Sequence, residues 1–349
     1  MRLFSTLRFL AATALALLVA HSAIGADPIQ SHARPYPAFG RVERLDPALD
    51  QLLAPDAAME NLAEGFNWSE GPVWLANAGA LVFTDVPENV AYRWSDGAGI
   101  SIYLRPSGLT GEPNGAREPG ANGLATDAKG QLLLAQHGDR RIARWDESAR
   151  AFTTLAAHYD GKRFNSPNDL CVDRQGNIYF TDPPYGLGKT APRDLDFQGV
   201  YRITPDGVVT LLTQEISRPN GIELSPDEGT LYVANSEGKR AVIRAYELRT
   251  DGTLGPGRDF FDATKLQRSD RRGVPDGLSA DVHGNLWATG PGGVLIIDSA
   301  GKLLGTLLTG RSTANCCFGG PQGTTLYITA DDVLCRIETK VTGRAPPKK

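Results

Sequence analysis

Six polar residues stand at equivalent positions of a repeated segment: Glu70, Asn122, Asn168, Asn220, Asp276 and Asn315. Two are carboxylates and four are carboxamides, so the set offers oxygen donors without sulfur or imidazole. Such donors select calcium or magnesium over zinc, and calcium tolerates the irregular geometry that ligands from separate segments would give. Glu70 and Asp276 would neutralise a divalent charge, with the amide oxygens of Asn168 and Asn220 completing the protein's share and leaving positions for water or substrate. Asn-Gly and Asp-Gly pairs are also common turn formers. The recurrence of the whole set therefore carries the cation reading, and no single member does.

The repeat that positions these residues reads Asn122-Gly-Leu-Ala-Thr-Asp-Ala-Lys-Gly-Gln-Leu-Leu-Leu-Ala135 in one copy and Asn168-Asp-Leu-Cys-Val-Asp-Arg-Gln-Gly-Asn-Ile-Tyr-Phe-Thr181 in another. Further copies start at Asn220 and Asp276, and looser ones at Glu70 and Asn315. Successive lead residues are 52, 46, 52, 56 and 39 residues apart. Each copy predicts a β-hairpin with an Asp/Gly-rich turn, followed by a second strand pair such as 199–204 and 208–212 around Pro205-Asp206-Gly207. Four strands in ~40–50 residues is the size of a propeller blade. The expected fold is all-β: a six-bladed β-propeller over 58–341 with four-stranded blades. The last copy lacks a fourth strand, and Met59–Phe66 is expected to supply it and close the ring. Closure removes the open sheet edges that invite aggregation.

Composition agrees with this. Of 349 residues, 41% are hydrophobic and 22% charged, the balance of a folded soluble chain, and Gly 39 with Pro 23 beside 8% aromatic implies many turns. Residues 1–25 have Arg2 and Arg8, an apolar run from Phe9 to Ala20 and small residues near Gly25, which is the pattern of a cleaved signal peptide. The mature chain is expected outside the cytoplasm, periplasmic or secreted, with an extension over 26–57 and a flexible tail over 342–349. Removal of the leader moves the formal charge from −4 to −6, so nucleic acid is not an expected partner. No segment is long and apolar enough for a membrane span. Cys171, Cys316, Cys317 and Cys335 lack C-x-x-C spacing and are expected as buried thiols. Oligomeric state is open.

The second strand of each hairpin returns to the level of the lead residues, and its end carries Asp85, His137, Asp182, Asn235, Gly290 or Ala330. His137 could hydrogen-bond a substrate or relay a proton. Asp182 sits in Thr181-Asp-Pro-Pro-Tyr-Gly186 in either a supporting or a purely structural role. The 105–120 stretch is long for a connector and suits a lid or binding loop, unless it is disordered. Neither a phosphate loop nor a G-x-S-x-G nucleophile motif is present.

Ser69-Glu-Gly-Pro-Val-Trp74, Asn165-Ser-Pro-Asn-Asp169, Tyr179-Phe-Thr-Asp-Pro-Pro-Tyr-Gly186, Arg218-Pro-Asn-Gly-Ile222, Pro275-Asp-Gly-Leu278 and Asn315-Cys-Cys-Phe-Gly-Gly320 together resemble the gluconolactonase/regucalcin-like (senescence marker protein-like) family, to which diisopropyl fluorophosphatase is related. The resemblance spans roughly 60–340. It implies a six-bladed calcium propeller whose metal ligands fall on Glu70, Asn168, Asn220 and Asp276, with Asp276 as catalytic carboxylate. The expected reaction is hydrolysis of a sugar-acid lactone, with Asp276 acting as base or nucleophile and Asn122, His137 and Asn168 contacting the substrate. Calcium is the expected cofactor, and magnesium, manganese and zinc are the other divalent ions to consider. Two alternatives stay open: phosphotriester or aryl-ester hydrolysis at the same metal, and a non-catalytic ligand-binding propeller.

Overall fold

The computed structural model describes residues 29–345; the expected leader and the last four residues lie outside it. Six antiparallel sheets surround one axis. The first blade has Ser69–Leu75, Ala80–Asp85, Val90–Ser95 and Gly99–Leu104; the second has Ala121–Thr126, Leu132–Gln136, Arg141–Asp146 and Ala151–Ala156. The third and fourth begin with Leu170–Val172 and Pro219–Leu224, the fifth with Leu278–Ala280 and the sixth with Thr313–Gly319. The sixth is completed by Met59–Glu64, which pairs antiparallel with Val333–Glu338, as with Leu334 opposite Ala63. The ring is thus closed by an N-terminal strand, as the missing strand of the last repeat implied.

The strand sequences explain the packing. In Leu132–Gln136 successive side chains point to opposite faces. Leu132 and Leu134 join a cluster with the first blade, while Leu133 and Ala135 join one with the third. A strand buried on both faces reads as a continuous apolar run rather than an alternating one. Six apolar clusters fill the six blade–blade interfaces. The four cysteines are free thiols within this packing, three of them buried and Cys317 partly so.

The segment before Met59 is stitched to the ring. Arg41–Arg44 adds a fifth strand to the fifth blade, Gln30–Ser31 and Ala38–Phe39 flank Met59–Glu64, and Leu49 and Leu53 are fully buried. The start of the expected flexible tail is also packed. Gly343 bridges Asp281, and the Arg344 guanidinium lies 3.0 Å from Glu223 and 3.4 Å from Glu228. These residues cross one mouth of the axial channel, where a cavity of about 820 Å³ lies. Among the described residues no helix is long and apolar enough to cross a membrane.

Candidate active site

The lead residues gather at the other mouth. Glu70, Asn122, Asn220 and Asn315 lie on the innermost strands, whereas Asn168 and Asp276 stand just before the short strands Leu170–Val172 and Leu278–Ala280. Register shifts fall at Glu70/Val73, Pro219/Ile222 and Thr313/Asn315, where a bulge bends the strand and re-aims the side chain toward the axis.

Glycine after the lead residue makes this convergence possible. A Cβ on Gly71 would lie 2.1 Å from the Asn122 carbonyl oxygen, and one on Gly221 2.0 Å from that of Asp276. Hydroxyls on the second strands then fix neighbouring blades in register. Thr84 Oγ1 donates to the Asn122 carbonyl at 2.9 Å, Thr181 Oγ1 to that of Asn220 at 2.7 Å, and Ser236 Oγ to that of Pro275 at 2.7 Å.

A chain of side-chain contacts crosses the mouth. His137 Nε2 is 3.2 Å from Asn168 Oδ1, Asn168 Nδ2 donates to Asn220 Oδ1 at 2.5 Å, and Asn220 Nδ2 donates to Ser236 Oγ at 2.9 Å. On its far side, His137 Nδ1 is 3.4 Å from Glu118 Oε2. Glu70 is buried, with Oε2 accepting from the Gly71 amide at 3.1 Å. Asp276 borders the open channel, yet its Oδ1 is covered and has no hydrogen-bond partner; Asn122 Oδ1 is likewise unpartnered. Asn315 points away from this chain and donates to Asp169 Oδ2 at 3.3 Å.

The carboxylates repel one another in a desolvated place. Burial pushes Glu70 up to about 7. Burial, then the charges of Glu70 and Asp169, hold Asp276 well above the ordinary carboxylate range. Burial and the charge of Glu70 raise Asp169 to about 8. Unpartnered oxygens and mutually repelling acids are what a bound cation relieves, so Glu70, Asn168, Asn220 and Asp276 fit a hard divalent ion. Among the described residues no group of three or more His, Cys, Asp or Glu side chains is arranged to hold a metal. That accords with a donor set of two carboxylates and two amides.

Sequence reading assigned no role to Asp169, Glu118, Tyr185 and Ser236. Asp169 left a signal, since it stands where four other copies have glycine. Glu118 left only the length of the 105–120 loop, which suits a lid or binding loop without singling out this residue, and Tyr185 left none; the loop and the 181–186 turn meet through the Arg117 amide donating to the Gly186 carbonyl at 3.0 Å. Asp182 has a structural position. Its Oδ2 accepts from the Asn165 amide at 2.8 Å, as Asp85 accepts from Asn67 at 3.0 Å and Asn235 from Arg218 at 3.0 Å. All three tie the incoming loop to the end of a second strand. The cavity at the opposite mouth reaches the underside of this centre, since its lining includes Gly71, Asp169 and Asn315, while its Glu223 and Arg344 are paired with each other.

Fold and mouth together define a six-bladed propeller with a carboxylate–amide centre on its axis. The chain belongs to the SMP-30/Gluconolactonase/LRE-like family, whose model matches residues 68–332. It is 40% identical over 315 residues to a gluconolactonase of Zymomonas mobilis, covering 87% of this chain and 88% of that one. A solved gluconolactonase from Xanthomonas campestris matches with a TM-score of 0.75 at 34% identity, over 88% of this chain and 98% of that chain. A calcium-binding regucalcin structure from Agrobacterium tumefaciens shares the fold, with a TM-score of 0.66 at 21% identity, over 90% and 98%.

Proposed function

We propose that this protein hydrolyses the ring ester of a sugar-acid lactone, with calcium or another divalent cation held by Glu70, Asn168, Asn220 and Asp276. The observation that supports it most is the convergence of those four residues around an unpartnered Asp276 oxygen, in a chain 40% identical to a gluconolactonase. When bound, the cation would supply Lewis-acid polarisation of the ester carbonyl.

The chain's own groups supply the rest. Asp276 takes the proton from a water attacking the carbonyl carbon, or attacks that carbon itself. As base, Asp276 passes that proton to the ring oxygen as its bond to the carbonyl carbon breaks. As nucleophile, it forms an anhydride while the ring oxygen leaves and takes a proton from solvent, and water then cleaves the anhydride to release the acid and restore Asp276. Asn122, with its free Oδ1, accepts from a substrate hydroxyl. His137, held between Glu118 and Asn168, orients the Asn168 amide. Export is part of this proposal and rests on residues 1–25; N-terminal sequencing of the mature protein checks it.

The test is turnover of a lactone panel by wild type and Asp276→Asn. The variant is expected to lose about 10³-fold in kcat/KM, within the range of general acid–base contributions. Chelation is expected to abolish turnover and added calcium to restore it. Full lactone hydrolysis in chelated protein, or hydrolysis of phosphotriesters with none of lactones, overturns the proposal.

A further inference from the structure

The rim of this mouth holds one polar group that none of the steps above uses. Tyr185 lies in the rigid Asp182-Pro-Pro-Tyr-Gly186 turn, and its hydroxyl is buried without a hydrogen-bond partner. The Ser236 side chain lies close by without forming a well-aligned hydrogen bond to it, and the charges of Asp276, Arg218 and Glu118 act on it. The turn that carries it is fixed by three hydrogen bonds. The Ser166 hydroxyl donates to the Pro183 carbonyl at 2.6 Å, the Gly186 amide donates back to Ser166 Oγ at 3.0 Å, and the Gly186 carbonyl accepts from Arg117 at 3.0 Å. Gly186 packs so tightly on the His137 ring that a Cβ there would lie 2.5 Å from His137 Cβ. The phenol therefore has little freedom to turn toward water.

A buried hydroxyl without a partner is costly, and in native proteins it is rare unless a ligand or water completes it. A tyrosine phenol is protonated at physiological pH. It is thus a fixed donor at the rim, where its turn meets the loop that carries Glu118. A sugar hydroxyl both donates and accepts, so one hydroxyl could accept from Tyr185 while donating to Glu118 or Asp276.

Resting on the lactonase reading, we propose that Tyr185 is a specificity-determining residue: its hydroxyl donates a hydrogen bond to a hydroxyl of the lactone bound at Asp276, so that the site selects polyhydroxylated lactones over bare ones. No proton is transferred in this role. A site built to bond a hydroxyl discriminates strongly against analogues that lack it, because its own polar groups are then left unpaired.

The experiment compares Tyr185→Phe with wild type on glucono-δ-lactone and on δ-valerolactone, which has the same ring without hydroxyls and is read as substrate or as competitive inhibitor. The variant is expected to lose about 10- to 100-fold in kcat/KM on gluconolactone, with the constant for valerolactone within about twofold of wild type. Its melting temperature and calorimetric calcium affinity should stay unchanged. An equal loss for both compounds, or no loss on gluconolactone, overturns the role of Tyr185 while leaving the lactonase reading standing. A wild-type protein that opens no lactone overturns both.

Discussion

At the residue scale, the candidate centre behaves as a charge problem. Glu70 at about 7, Asp169 at about 8 and Asp182 at about 7 all sit above ordinary values of 3.8–4.5, with burial the largest cause in each. The sign follows from linkage. Between about pH 4 and pH 7–8 the native state keeps protons that the unfolded chain has released, so the stability of metal-free protein falls as pH rises through that window. The thermal midpoint in chelator is therefore expected to be higher at pH 5 than at pH 7.5. Added calcium should raise it at pH 7.5, and the increment should shrink toward pH 5, as protons compete for Glu70 and Asp276. A midpoint in chelator that does not vary across this range would contradict the charge account, and one unmoved by calcium would contradict the cation.

At the scale of the element, the critical feature is how closely each innermost strand approaches the next. Gly221 leaves no room for a methyl group, since its Cβ would lie 2.0 Å from the Asp276 carbonyl oxygen. Gly238, at the rim of the same blade, has nothing within 4 Å. Gly221→Ala is expected to cost about 1–3 kcal/mol in urea unfolding, the usual cost of overpacking, and to lower lactone turnover by displacing Asp276. Gly238→Ala is the control and should change neither. Equal behaviour of the two variants would show that the approach of the strands does not set the position of Asp276.

At the scale of the whole molecule, stability depends on closure. Met59–Glu64 is the fourth strand of the last blade, and its Leu62 and Ala63 are fully buried between the sixth and first blades. A chain starting at residue 66 would expose the edge of Val333–Glu338 and the cluster beneath it. It is expected to aggregate and to lose its cooperative melting transition. A chain starting at residue 29 should melt as one unit, because the added strands and the buried Leu49 and Leu53 belong to the same packing. Circular dichroism melts and size-exclusion profiles of the two chains check this.

Much of this protein was legible in the order of its residues. The blade count follows from the hairpin repeat, the closing strand from the gap in the last copy, and the lead residues from their shared position. These are local patterns, set by turn chemistry and by the two-residue period of a strand, so a linear reading recovers them. Tertiary structure decided what contacts what. Glu118 and Tyr185 reach the mouth from a loop and a turn that sit beside the repeat rather than in it, and nothing in their spacing says where those segments fold back. Asp182 took a structural position because its carboxylate meets the Asn165 amide, and the 342–345 segment packed because Arg344 meets Glu223 and Glu228 across the opposite mouth. Pairings between residues so far apart in the chain depend on ring closure. Closure brings the blades to one axis, and only then do charge and burial act on side chains from separate repeats.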